Sequence, residues 1–242
     1  MLFSPKDIEL QIAEWGMLPF FKGIVDGFSL EELISPDYWF PDGGIEGVWE
    51  WKNEIILDGN CAYGKFYRGK ACFVSMDIFP DLLNYRRSRF VPSQDEQHLL
   101  DVVEQHESLL SRDLKRLCGY NAPRRQPVDR LQRMLSGRSR HQHTLSLSDE
   151  SSPCHRKGFE TAITRLQMGC RLLTCDFEYA YTRDGRRYGW SVARYCTPEA
   201  YFGAEQLQVP RSPNESYEFL SEYLSQRLPQ ATPFEISQII SG

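Results

Sequence analysis

The chain has 242 residues, enough for one large domain or two small ones, and its 41% hydrophobic fraction supports a sizeable core. The longest apolar runs span only a few residues, which excludes a membrane-spanning helix. A net charge of −5 speaks against a polyanion binder, but the charge is uneven: residues 112–194 hold 17 Lys/Arg against 8 Asp/Glu, whereas residues 1–60 hold 3 against 12. Seven cysteines without C-x-x-C spacing, in a chain that starts without a basic and apolar leader, read as free thiols, and a cytoplasmic location is expected.

The first predicted helix runs from Ser4 to Trp15, with Ser4 as its cap, Pro5 at the first position, Asp7 in the first turn and Gly16 as its stop. Leu18 to Phe21 is apolar and irregular. A short helix follows, with Ser29 and Glu32 as a capping box, and ends near Pro36. Residues 48–57, rich in Val, Trp and Ile, predict a strand; alternation then sends Glu50 and Lys52 to one face and Trp51 to the other. Cys61 to Ser75 predicts a hairpin turning at Arg68-Gly69. Asp77 to Tyr85 reads as a short helical turn, followed by Arg86, Arg87 and Arg89 as an exposed basic step. Residues 1–92 thus form a helix-plus-hairpin unit, open to reading as a degenerate second winged helix.

Residues 93–203 predict a winged helix-turn-helix. Ser93 and Glu96 cap a helix from Gln94 to His106, and a second helix from Ser111 ends at Gly119. Gly158 opens a third helix with Phe159, Ala162, Ile163, Leu166, Cys170 and Leu173 on its inner face. Cys175 to Tyr195 then predicts a hairpin, with Asp184-Gly185 as its turn and Arg183, Arg186 and Arg187 at its tip. Residues 120–157, rich in Arg, Ser, Pro and His, read as a mobile insertion, in which His141, His143, Cys154 and His155 lack metal-ligand spacing. Residues 204–242 form an acidic helical tail. The fold class is α+β.

The strings GVWEWK (47–52), CAYGKFYRGKACFVS (61–75), FPDLLNYRR (79–87), KGFETAITRLQM (157–168) and GWSVARY (189–195) resemble the AlkZ-related proteins, relatives of the AlkZ/YcaQ winged-helix DNA glycosylases. The likeness spans roughly residues 35–203 outside the insertion. It implies a winged-helix fold, contact with double-stranded DNA, a place in DNA repair, and no cofactor or metal. AlkZ-type glycosylases carry a Gln-Φ-Gln or Gln-Φ-Asp pair that activates water beside the glycosidic bond. This chain has neither, and Glu50-Trp51-Lys52 is its nearest spacing.

Three functions follow as expectations. The first is DNA binding, with Thr161, Thr164, Arg165, Met168 and Arg171 facing the major groove and Arg183, Arg186 and Arg187 touching phosphate. The second is a DNA glycosylase. Here Glu50 is the general base, Lys52 is its partner or an amine nucleophile, and Trp49 and Tyr63 stack on a flipped base. The same residues also fit a plain ion pair flanked by core tryptophans. The third is a non-catalytic interaction module whose acidic front covers the basic segment.

Overall fold

The computed structural model describes residues 1–41, 46–120, 158–184 and 187–242; all of the predicted insertion 120–157 except Tyr120, with His141, His143, Cys154 and His155, and the turn residues Gly185 and Arg186 lie outside the described residues. Helix α1 (Pro5–Trp15) begins as its sequence dictates: the Ser4 hydroxyl accepts the Asp7 N–H at 3.2 Å. Gly16 ends it in the left-handed region, at φ 77°. Strand β1 (Met17–Pro19), helices α2 (Leu30–Leu33) and α3 (Val48–Leu57), and strands β2 (Cys61–Tyr67) and β3 (Lys70–Ser75) follow. The β2–β3 turn takes Arg68 and Gly69 at φ 51° and 74°, the paired positive values that a tight hairpin turn requires.

Helix α4 (Phe79–Arg89) leads to a second run of the same order: α5 (Gln94–Gln105), β4 (Ser108–Leu110), α6 (Ser111–Leu117), α7 (Phe159–Met168), β5 (Leu173–Tyr181) and β6 (Arg187–Cys196). Each run forms an antiparallel three-stranded sheet in which its first strand joins the far strand of its hairpin, giving orders β1-β3-β2 and β4-β6-β5. Helices α8 (Pro198–Phe202), α9 (Pro213–Arg227) and α10 (Pro233–Ser241) complete the chain. Among the described residues no helix is long and apolar enough to cross a membrane.

Three local expectations are corrected. Residues 48–57 form a helix, not a strand. Gly47 and Glu50 close a capping pair, in which the Glu50 carboxylate accepts the Gly47 N–H at 3.2 Å. The buried set Val48, Trp51, Lys52, Ile55 and Ile56 has helical spacing, which overrides the strand preference of the tryptophans and isoleucines. The basic step after Tyr85 is the last turn of α4. There Arg86, 3% exposed, donates to the Ile239 and Ile240 carbonyls, both at 2.8 Å, and to Met168 O at 3.1 Å. A cation at the C-terminal ends of α7 and α10 complements both helix dipoles. Arg87 is paired with Glu199 and with the Cys170 carbonyl. The third correction concerns Met17 to Pro19, which pair with β3 as an edge strand rather than running irregularly.

The two runs pack by exchange. Helix α7 lies on β2: the Gln167 amide oxygen accepts the Lys65 N–H at 3.1 Å, its NH₂ donates to Thr174 Oγ1 at 2.9 Å, and Lys65 Nζ donates to Thr164 Oγ1 at 3.0 Å. Helix α3 lies on β5: the Asn53 amide oxygen accepts the Phe177 N–H at 2.9 Å. Lys65 and Phe177 are each the fifth residue of their strand. Below this junction Phe66, Phe79, Cys170, Leu173, Leu220 and Ile239 share one buried cluster, so both runs and the C-terminal helices have a common core.

Candidate functional site

A cleft opens between α3 and the β5–β6 hairpin. It has two lobes, of about 710 Å³ and about 600 Å³, which share Glu46, Glu50, Tyr179 and Arg187. Trp39, Phe40, Trp49 and Trp190 wall the first lobe; Glu54, Asp176 and Glu178 line the second. Glu50 is placed here by the helix: from N3 of α3, one carboxylate oxygen caps Gly47 while the other accepts from Tyr179 Oη at 3.3 Å and from Arg187 Nη1 at 3.2 Å. The Arg187 guanidinium stacks 4.3 Å from the Tyr179 ring centroid. Burial, reinforced by the Glu50 charge, raises the Tyr179 phenol above its ordinary pKa, so it stays a donor. The Glu50–Arg187 pair also ties the acidic first 60 residues to the basic segment.

Lys52 does not share a face with Glu50. Two helical residues are turned by about 200°, and the Lys52 ammonium lies 3.2 Å from the Phe177 ring centroid and 5.2 Å from that of Trp49. The residue is 3% exposed. Burial drives its pKa down to about 8, against the opposing pull of Glu50. Trp49 is half-buried, packed against Phe20, Trp39 and Phe40, and its indole N–H has no acceptor among the described residues. Tyr63 is 7% exposed, enclosed by Phe20, Phe73 and Phe177.

The residues read as a groove-facing set are spread over several environments. Thr161 is exposed at the start of α7. Thr164 is held by Lys65 and by the Glu160 carbonyl, and Met168 lies beside the β2–β3 turn at Gly69. Arg165 Nε donates to the fully buried Glu96 at 2.6 Å, with its guanidinium over Phe90. Arg171 is half-buried, its Nε without an acceptor among the described residues. Arg183 is exposed at the hairpin tip and Arg187 lies in the cleft; Arg186 lies outside the described residues. Sequence reasoning did not single out Asn53 and Gln167, which hold the two runs together, or Phe40 and Trp190 at the cleft mouth. The Gly-x-x-Glu spacing at Gly47 and Glu50 was the available signal for a helix at this point.

With the cleft and both sheets defined, one comparison decides the relationship: the AlkZ-related family model matches residues 2–241. The chain belongs to the AlkZ-related family. The match takes in the first helix and the C-terminal helices, which the motif strings did not reach. No curated protein and no solved structure matches the chain.

Lys52 yields a direct test. The unfolded chain keeps this proton up to the ordinary 10.5, while the folded chain releases it near 8. The unfolded state therefore binds more protons between those values, and stability rises with pH across that window. Lys52→Met is expected to stabilise the protein at pH 7 by about 2–3 kcal/mol. The advantage shrinks above pH 8 and is lost near 10.5, which chemical denaturation at several pH values measures. A variant no more stable than the parent at pH 7 contradicts a desolvated ammonium at this position.

Proposed function

We propose that this AlkZ-related protein binds DNA in a repair setting, as a winged-helix protein whose β5–β6 hairpin makes the principal contacts. The observation that carries this reading is the order helix, strand, helix, helix, hairpin over residues 94–196, with β4 joined to β6, in the part of the chain where Lys/Arg outnumber acids. Thr161 on α7 and Arg183 at the tip are exposed, and Arg187 is half-exposed in the cleft. A duplex meeting this edge engages phosphate through the two arginines without rearrangement. Reading base edges with Thr164 and Met168 requires the β2–β3 hairpin to leave α7 first, and doing so with Arg165 requires it to leave Glu96. The hairpin edge is therefore the economical mode.

A second reading, base excision, is favoured by one observation: Glu50 presents a carboxylate to the cleft with a tyrosine hydroxyl and an arginine beside it. In that role Glu50 polarises water toward the glycosidic carbon of a flipped nucleotide, and Arg187, 3.2 Å from one carboxylate oxygen, holds the carboxylate in place.

Duplex binding followed by anisotropy at two salt concentrations tests the first reading. Arg183→Ala with Arg187→Ala is expected to weaken binding about ten-fold at low salt and to reduce the log–log salt slope by about two; unchanged affinity and slope sink the hairpin-edge mode. Release of free base from alkylated duplex tests the second. Glu50→Gln is expected to slow release about 100-fold or more, and equal release by variant and parent removes Glu50 from the chemistry.

A further inference from the structure

The cleft mouth has a composition that duplex contact leaves unexplained. Phe40 is 68% exposed, Trp190 77% and Tyr181 61%, although each is a large aromatic side chain. Tyr181 lines the second lobe, whereas Phe40 and Trp190 stand together at the first. Phe40 meets Trp190 edge-on at 6.5 Å between ring centroids and lies 6.3 Å from Trp49. An exposed aromatic group of this kind, rimmed by polar side chains, marks a binding surface.

Charge decides what the surface fits. Among the described residues the inner lobe is lined by Glu46, Glu50, Glu54, Asp176 and Glu178, of which Glu178 is paired with Arg194 and Glu50 with the one lining cation, Arg187. A phosphodiester backbone running through the cleft is repelled by those carboxylates. Among the described residues the cations available to a backbone here are Arg187 at the cleft wall and Arg183 at the hairpin tip. A ligand with planar, uncharged faces inside and anionic groups outside matches both halves. A fully paired duplex presents its phosphates outward and hides its base faces in the stack. A strand with unpaired bases offers those faces freely, and base–aromatic stacking is tolerant of sequence.

We propose that the aromatic lobe, walled by Phe40, Trp49 and Trp190, receives an unpaired DNA base while the adjoining phosphates rest on Arg183 and Arg187, so that the protein prefers DNA containing an unpaired strand to a continuous duplex. This rests on the DNA-binding reading above and adds the class of DNA selected. Trp190 and Phe40 are the specificity-determining residues. Both are exposed and carry little of the core, so their removal leaves folding intact.

The test uses the full chain and three fluorescein-labelled probes: a mixed-sequence single strand, the same strand annealed to its complement, and that duplex with a central bulge. The strand and the bulge are expected to bind about ten-fold more tightly than the duplex and to quench tryptophan fluorescence. Trp190→Ala is expected to remove most of that preference, read as the ratio of bulge to duplex affinity, with Phe40→Ala acting in the same direction. Equal affinity for all three probes, or a Trp190→Ala variant that keeps the preference, overturns the inference and leaves duplex binding standing. Failure of every probe to bind overturns the DNA-binding reading itself, and the inference with it.

Discussion

Two backbone amides hold this molecule in its shape: the N–H of Lys65 on β2 and the N–H of Phe177 on β5. Both strands stand at the edge of their three-stranded sheets. An edge strand exposes unpaired backbone donors, which cost free energy if buried and invite foreign pairing if exposed. Each run solves this with the helix of the other: Gln167 reaches from α7 to β2, and Asn53 from α3 to β5. Gln167 is 1% exposed and uses both ends of its amide, so an apolar residue there strands two buried partners at about 1–3 kcal/mol each.

The exchange fixes where a site can exist. The polar face of α7 is spent on the β2–β3 hairpin, and the inner face of β5 is spent on α3. What stays open is the cleft between α3 and the β5–β6 hairpin, with Glu50, Tyr179 and Arg187 shared by its two lobes. Lys52 is the cost of this arrangement. Its ammonium is carried into the junction against the faces of Phe177 and Trp49, a contact worth about 2 kcal/mol when desolvated, less than the penalty of burial.

Much of this architecture was legible in the chain. Ser4 with Pro5, Ser93 with Glu96, Arg68-Gly69 and Gly119 each announced a boundary through local chemistry, and each boundary stands. The AlkZ-related relationship was legible in short strings and extends to nearly the whole chain. The segment from Val48 to Leu57 was not, because tryptophan, valine and isoleucine favour strands locally while the long-range packing of α1 and β5 on this stretch rewards a helix. The error carried into the site: strand alternation pairs Glu50 with Lys52, whereas a helix separates them, and the partner of Glu50 came from Arg187, 137 residues away. Arg86 was hidden for a similar reason. A cation looks solvent-facing in a sequence, and only the folded chain reveals the two helix ends that it caps.

Residue-level amide hydrogen exchange tests the central claim, that two similar runs are locked by exchanged helix-to-strand contacts. If the lock is as described, the Lys65 and Phe177 amides exchange only through global unfolding, with the same opening free energy as the core amide of Tyr195 on β6. A Phe177 amide that exchanges orders of magnitude faster than Tyr195 means that the hairpin lifts from α3 on its own. In that case the two runs are not locked, and the cleft between them is not a fixed site.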